Sequence, residues 1–396
     1  MSPASKSLKN FSWSPWLSTL WTLLILLGAV SFGFAVYEHE EKRAWVNFLL
    51  NYVFWFSIGL SGVFFAALQH LTGSYWSVTV RRVAESFSAF LPCAFVLFFI
   101  FLLFGMSSLY EWLDPKAVQA DKLLLMKSAY LNKNFFIVRH LALYTVIFLM
   151  GGWMIKNSIR QDQSGDLRLT RINVKIAAPF MLFFGWLFTF AIFDLVMSLQ
   201  PHWFSTIFGI YCWAGLFYSG LGMLALWVVN LRKNGYLGDY VSEDHLHDIG
   251  KLMFTFMVFW AYIAFSQFVL IWYANMPEET VFFLNRARNH WKCLSYILIF
   301  FKFVLPFFIL VSRPSKRNPK RMGIMGAWFV LAQYLDMYWL IFPVFYPENP
   351  VFGWIEIGIF AGFAGLFFKV VGVKLGQNSA VAVKDPRLEL ALHHSQ

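Results

Sequence analysis

Two aspartates occupy similar positions near the ends of long apolar stretches. Asp194 precedes Pro201 by seven residues, and Asp336 precedes Pro343 by the same spacing. A carboxylate in a low-dielectric environment holds its proton more tightly than in water, which suits it to proton exchange near neutral pH. The two aspartates are therefore the first candidates for proton transfer. The alternative is that each forms an ion pair that fixes helix register.

Further ionisable residues lie at comparable depth in neighbouring apolar stretches. With a rise of 1.5 Å per residue, Asp194 lies about five residues, or ~8 Å, inside the end of its stretch. Arg139, His140 and Glu356 lie at a similar depth, and Asp336 lies slightly deeper. We predict that these five residues form the outer half of a proton path. A structural pair between Arg139 and Asp194 explains the same residues equally well.

A second set of ionisable residues falls at the opposite rim. His70 ends one apolar stretch, and Arg81 and Glu85 begin the next, so a hairpin brings them near one another. These three residues are the predicted inner half of the path, with Lys302 as the only ionisable residue between the two sets. For Arg81 and its neighbour Arg82, anchoring in the cytoplasm is the favoured alternative.

The composition shows what surrounds these residues. Of 396 residues, 59% are hydrophobic and only 13% are charged. Soluble globular proteins carry about 25% charged residues, so this chain lacks the polar surface that a water-soluble particle needs. An integral membrane protein is the remaining class. The net charge of +11 then reflects basic loops rather than binding of nucleic acid.

Ten apolar stretches are long enough to span a bilayer, which takes about 20 residues of helix. The predicted spans are 16–37, 46–70, 83–106, 134–157, 177–199, 203–230, 248–273, 292–312, 322–346 and 351–374. The sequence therefore predicts an all-α integral membrane fold with ten transmembrane helices.

The basic residues predict the orientation of these spans. Of the 32 lysines and arginines, 21 fall on the side that includes both termini, and nine fall on the other side. Positive charge is retained in the cytoplasm, so both termini are predicted to be cytoplasmic. Histidines in loops and tails are predicted to be solvated: His39, His245, His247, His393 and His394.

The two aspartate-to-proline spacings also suggest an internal repeat of four spans. Gly59 and Gly62 in span 2 correspond to Gly220 and Gly222 in span 6. Because four is even, the two copies run parallel, as four-helix bundles of spans 2–5 and 6–9. The predicted segments are 1–45 with flanking span 1, 46–202, 203–350, and 351–396 with flanking span 10 and a cytoplasmic tail. Coincidence is the alternative for so sparse a pattern.

The cysteines give no sign of a redox centre. Cys93, Cys212 and Cys293 are far apart, and no CxxC or CxxCH occurs. An iron–sulfur cluster, a structural zinc and a covalently attached haem are therefore unsupported. A haem ligated by His140 and His290 stays open as an alternative. We predict no catalytic residue and no metal ligand, and leave open whether the chain is itself an enzyme.

One segment resembles a known family. The stretch QHLTGSYW…RRVAE, within residues 69–85, resembles ActF-type membrane subunits, the quinone-binding subunit 2 of bacterial alternative complex III. That family is similar to the NrfD-like subunits of polysulfide reductases. The ten spans and the four-plus-four repeat fit it over nearly the whole chain.

The resemblance implies a cofactor-free, multi-pass subunit of a respiratory quinol:electron-acceptor oxidoreductase in the bacterial inner membrane. The implied partners are a sister NrfD-like subunit, an iron–sulfur protein, c-type cytochromes that carry haem, and lipids, with a terminal oxidase as a further candidate. Menaquinone or ubiquinone is the implied quinone, with the sister subunit as the better site for it. A secondary transporter and a passive assembly scaffold are the competing hypotheses.

Overall fold

The computed structural model describes residues 9–395, and over that range the chain is built of helices without strands. Ten of these helices are long and apolar enough to cross a membrane, which confirms the predicted all-α, multi-pass architecture. Residues 1–8, which belong to the predicted N-terminal segment, lie outside the described residues. The ten helices are α1 (Pro15–Tyr37), α2 (Glu41–Leu71), α3 (Val78–Leu109), α4 (Lys133–Ser164), α5 (Leu167–Leu199), α6 (Phe208–Lys233), α7 (Glu243–Ala274), α8 (Asn289–Leu310), α9 (Pro319–Phe345) and α10 (Trp354–Gly376).

The ends of the helices alternate between two faces of the molecule. We call the side with the turns after α1, α3, α5, α7 and α9 face A. Face B carries the other turns and both ends of the described chain. Face A also holds short helices in two of its turns, including Pro115–Ala120, Lys122–Lys127 and Pro277–Arg286.

Several helices continue beyond the apolar stretches that predicted them. Helix α5 begins at Leu167, ten residues before the predicted span, and α2 begins at Glu41. The carboxylate of Asp166 accepts the backbone N–H of Arg168 at 2.8 Å and so caps the start of α5. Hydropathy marks only the apolar part of a helix, whereas backbone hydrogen bonds continue into its polar ends.

Helices α2 and α6 form the centre of the molecule. Residues along α2 from Ala44 to Ala67 are buried, and most of α6 is buried as well. A side chain at Gly220 of α6 would collide with Ser61 of α2. On its other side, α6 meets α9, where a Cβ at Gly326 would lie 2.6 Å from the carbonyl oxygen of Gly222. Small residues thus let these backbones approach closely, as in other membrane bundles.

The first and last spanning helices pair with each other. A Cβ at Gly362 of α10 would lie 2.7 Å from the Cα of Gly28 in α1. One turn away, Ser31 of α1 lies against Gly358 of α10. Helix α10 in turn packs against α2, so it connects α1 to the centre of the molecule.

Three helices contain a wider π-helical turn, at Phe101–Gly105 in α3, Ile147–Gly151 in α4 and Phe300–Val304 in α8. The turn in α8 is followed by Pro306, which has no N–H to offer the carbonyl of Lys302 four residues earlier. The hydroxyl of Tyr218 in α6 donates to that carbonyl at 3.2 Å. The main chain around Lys302 is thereby held by a neighbouring helix.

The C-terminal tail folds back over face B. Val381 and Ala382 are buried, and Nζ of Lys384 donates to the carbonyl of Gln163 at the end of α4. His394 lies 2.6 Å from the carboxylate of Asp248 in α7. The prediction that tail and loop histidines are solvated is therefore wrong for His394, and it is also wrong for the buried His245 and His247. Windowed hydropathy cannot detect a polar tail that packs through a few small residues.

Candidate functional site

The ionisable residues predicted near face A separate into three clusters. The first cluster joins α4 to α5. Arg139 donates from Nε and Nη2 to the two carboxylate oxygens of Asp194, both at 2.7 Å. The guanidinium also donates to the carbonyl of Tyr130 and stacks 3.9 Å from the centre of its ring. Arg139 and Asp194 are both buried, so this is a two-point ion pair shielded from solvent.

His140 lies beside this pair and is not hydrogen-bonded to it. Its Nδ1 is 2.9 Å from the carbonyl of Phe136 and 3.9 Å from the Asp194 carboxylate. The imidazole stacks on Phe136 and Phe98, and Nε2 has no hydrogen-bond partner among the described residues. His290, the other histidine considered for haem, is exposed at the start of α8.

The second cluster joins α8, α9 and α6. Nζ of Lys302 lies 2.5 Å from Oδ2 of Asp336 and 2.5 Å from Oε1 of Gln333. The other oxygen of Asp336 accepts the hydroxyl of Tyr211. The ammonium also lies 4.0 Å from the ring centre of Trp260 in α7. Lys302 and Asp336 are fully buried, and Lys302 therefore belongs with Asp336 rather than alone between two layers.

Arg286 covers this second cluster towards face A. Its guanidinium donates to the carbonyls of Trp339 at 3.0 Å and Leu340 at 2.7 Å, near the end of α9. Pro343 has no N–H to bond the Trp339 carbonyl four residues back. Arg286 thus supplies the donor that the proline removes.

The third cluster joins α2 to α10. Glu356 accepts Nε and Nη2 of Arg43 at 2.8 and 2.7 Å, Nδ2 of Asn47 at 2.9 Å, and the backbone N–H of Gly353 at 2.6 Å. Four donors on one buried carboxylate stabilise its ionised form. One turn further along α2, Asn51 donates to the carbonyl of Asn47. The side-chain oxygens of both asparagines have no partner among the described residues.

The residues predicted near face B form a branched ionic network. Arg81 donates to Glu85 at 3.2 Å and to Asp385 of the tail at 2.8 Å. Arg82 lies 3.1 Å from Glu85 and 2.9 Å from Asp162 of α4. All except the partly buried Asp162 are buried, so both arginines are paired inside the protein.

The tail residue Asp385 completes this network. Burial acts to raise the pKa of its carboxyl, but Arg81 and Arg387 act more strongly and hold that pKa well below its usual range. Asp385 therefore remains ionised at physiological pH. Its negative charge is a fixed partner for the buried Arg81.

His70 is hydrogen-bonded to α5 rather than to this ionic network. Its Nε2 is 3.3 Å from Nδ2 of Asn173, which also donates to the Met154 carbonyl, and the side-chain oxygen of Asn173 accepts Nδ2 of Asn157 at 3.0 Å. Between His70 and the clusters near face A, the polar contacts include a hydroxyl pair, Tyr52 with Tyr144 at 2.8 Å. The ring of Phe56 packs against both tyrosines.

The sequence identified at least one member of each cluster, and both members of the Arg139–Asp194 and Lys302–Asp336 pairs, but it missed six of the partners. The missed residues are Arg43, Asn47, Asp162, Tyr211, Gln333 and Asp385. Gln333 could have been found, because it precedes Asp336 by three residues and shares its helix face. Arg43 and Asp385 lie outside the predicted spans, and their partners are hundreds of residues away in sequence.

An apolar groove lies between α8 and α9. It has a volume of about 450 Å³ and is lined by Phe301, Trp328 and Tyr338, among others. The indole N–H of Trp328 donates to the Phe301 carbonyl, and the hydroxyl of Tyr338 donates to the Val351 carbonyl. The hydroxyl of Tyr334, also in the lining, accepts Nδ2 of Asn51 at 3.4 Å. The groove is otherwise apolar and therefore suits a hydrocarbon chain.

Neither a scan against protein-family models nor a search of the curated proteins finds a match for this chain.

Proposed function

We propose that this chain is a membrane subunit of a bacterial quinol:electron-acceptor oxidoreductase complex, without a redox centre of its own. The observation that carries the proposal is the turn between α2 and α3. The segment that resembles ActF-type subunits, residues 69–85, contains His70, Arg81 and Glu85, all of them buried in polar networks. A family resemblance that coincides with a buried ionic network is more informative than one in an exposed loop.

A parallel repeat is the second part of the proposal, with bundles α2–α5 and α6–α9 over residues 46–202 and 203–350. Two comparisons support it. Helices α4 and α8 each contain a π-helical turn. In each proposed bundle, an aspartate of the last helix pairs with a base of the preceding helix: Asp194 with Arg139, and Asp336 with Lys302.

Face B is the cytoplasmic side in this proposal, with both termini there, because most lysines and arginines outside the spans lie towards it. Face A then meets the partners that carry haem and iron–sulfur clusters. Menaquinol or ubiquinol would react at a sister NrfD-like subunit, since the groove between α8 and α9 offers no free donor from Trp328 or Tyr338.

The proposed contribution of this chain is scaffolding together with proton transfer. The outer part of the path comprises Arg139, His140, Asp194, Asp336 and Glu356. The inner part comprises His70, Arg81 and Glu85. The tyrosine pair Tyr52 and Tyr144 lies between the two parts and offers two hydroxyls.

Purification of the affinity-tagged chain from its native membrane tests this proposal. We expect c-type haem, seen in the optical spectrum, and iron–sulfur signals, seen by electron paramagnetic resonance, to copurify in fixed ratio. A chain that purifies alone and binds a solute would instead support a secondary transporter. A complex whose turnover and proton release are both unchanged by Asp336→Asn and Asp194→Asn would support a passive scaffold.

A further inference from the structure

The two aspartates that correspond in the proposed repeat differ in their basic partners. Asp194 pairs with an arginine, and Asp336 pairs with a lysine. All four residues are buried. Arginine and lysine are not equivalent in such a setting, because a guanidinium is not deprotonated in proteins, whereas a buried ammonium can give up its proton.

The arginine pair is built to keep its charge. Two parallel hydrogen bonds of 2.7 Å engage both oxygens of Asp194. The face of the guanidinium is covered by the rings of Tyr130 and Phe135, at 3.9 and 4.2 Å. Protonating Asp194 would leave a permanent buried cation without its anion, which is strongly unfavourable. Asp194 therefore holds α5 against α4 and stays ionised.

The lysine pair has the opposite character. One ammonium is shared by Asp336 and Gln333, each at 2.5 Å. Transfer of one proton converts the ion pair into a neutral amine and a neutral acid, so no unpaired charge is created. Burying two charges in a low-dielectric interior costs free energy that burying the neutral pair does not. The free-energy difference between the ion pair and the neutral pair is therefore smaller than it is in water. The amide oxygen of Gln333 and the hydroxyl of Tyr211 can hydrogen-bond the pair in either state.

The backbone at Lys302 also differs from that at Arg139. Lys302 lies within the π-helical turn Phe300–Val304, four residues before Pro306. Arg139 lies in a regular α-helical segment, Lys133–Val146. The hydroxyl of Tyr218 replaces a helical hydrogen bond at Lys302, because it donates to the Lys302 carbonyl at 3.2 Å. Lys302 thus lies where its helix departs from regular α-helical hydrogen bonding, as is frequent at functional sites.

We propose that the Lys302–Asp336 pair is the proton-transferring element of this chain, and that Arg139–Asp194 is its permanently ionised, structural counterpart. This inference rests on the proposed proton-transfer function and narrows it to one of the two bundles. In the step, an Nζ–H bond of Lys302 breaks and an Oδ2–H bond forms on Asp336. The acid then releases its proton to water on one side, and the amine takes a proton from water on the other.

Replacing the lysine tests the inference in the intact complex, reconstituted in vesicles. Lys302→Arg keeps the positive charge and removes the exchangeable proton, so proton release per electron should fall to the level of Asp336→Asn. Lys369→Arg is the matched control, because Lys369 of α10 donates to the hydroxyl of Thr22 at 2.8 Å and lies outside the proposed path, so it should keep the wild-type ratio. The inference is overturned if Lys302→Arg retains that ratio, or if Lys369→Arg loses as much as Lys302→Arg.

A second measurement needs no redox partner and guards against misfolding of Lys302→Arg. Infrared difference spectra of the purified full chain, recorded between two pH values, should show a carboxylic acid band that shifts in D₂O. The band should vanish in Asp336→Asn and persist in Asp194→Asn. Absence of any such band in the wild-type chain rejects the inference. The proposed membership of a redox complex is tested separately, by whether haem copurifies with the chain.

Discussion

At the scale of single residues, the buried carboxylates differ in the donors that surround them. Asp194 has one guanidinium, Glu356 has four donors from three residues, and Asp336 shares one ammonium with Gln333. The position of each acid within its apolar stretch is enough to assign it to the correct helix. It could not reveal the donors, because Arg43 and Glu356 come together only through the packing of α2 against α10.

The Arg139–Asp194 pair should behave as a coupled unit in stability measurements. Arg139→Ala or Asp194→Ala alone leaves one buried charge without its partner, so we expect each to cost about 3–5 kcal/mol. The double variant removes both charges and should cost clearly less than the sum. Thermal or denaturant unfolding of the wild-type chain, both single variants and the double variant in detergent gives this double-mutant cycle. Strictly additive losses would show that the two side chains do not interact.

At the scale of elements, hydropathy predicts the ten helices because crossing a bilayer takes about 20 mostly apolar residues of helix, whether the helix faces lipid or other helices. Hydropathy averaged over such a stretch does not predict where a helix contains an irregular turn or which helices pack together. The π-helical turn Phe300–Val304 contains Lys302 and is followed by Pro306, but neither residue by itself predicts a wider turn in the helix. The contact between α1 and α10 depends on Gly28 and Gly362. The sequence does not show that these two glycines pack together, because they come from opposite ends of the chain.

Gly28 offers a direct test of that helix pair. Gly28→Leu would force a side chain into the backbone of Gly362, so we expect a loss of about 1–3 kcal/mol and weaker association of α1 with α10. Gly33→Leu is the matched control on the same helix, because a Cβ at Gly33 meets no atom within 4 Å. Unfolding in detergent and cysteine cross-linking between α1 and α10 measure the effect. Equal losses in both variants would instead indicate a general effect of lost glycine.

At the scale of the whole molecule, the tail connects elements that are distant in the chain. Asp385 binds Arg81 of α3, Lys384 binds the end of α4, and His394 binds Asp248 of α7. The tail thus spans both proposed bundles across face B and covers the ionic network at the start of α3. The sequence predicts only solvated histidines in this tail, because the residues that anchor the tail are few and mostly small or charged.

Asp385 sets the pH dependence of tail docking. The pKa of its carboxyl is lowered in the folded chain, since Arg81 and Arg387 outweigh burial. Its contribution is therefore fully present above the ordinary aspartate value of about 3.9, and is lost only as the pH falls below that value. Asp385→Asn should weaken docking by about 1–3 kcal/mol, to a similar extent at pH 7 and pH 5.

Hydrogen–deuterium exchange of residues 378–395, corrected for the intrinsic effect of pH, measures that docking. Because 1.4 kcal/mol is a factor of ten, a loss of about 1–3 kcal/mol should speed exchange in Asp385→Asn about 5- to 140-fold at both pH values. Glu389→Gln is the control, since Glu389 is an exposed carboxylate of the same tail and should leave exchange unchanged. A difference that disappears between pH 7 and pH 5 would mean that the pKa of Asp385 is raised above its ordinary value in the folded chain instead of lowered. Arg81 would then not be holding it ionised, and the tail would be fastened to face B by its other contacts.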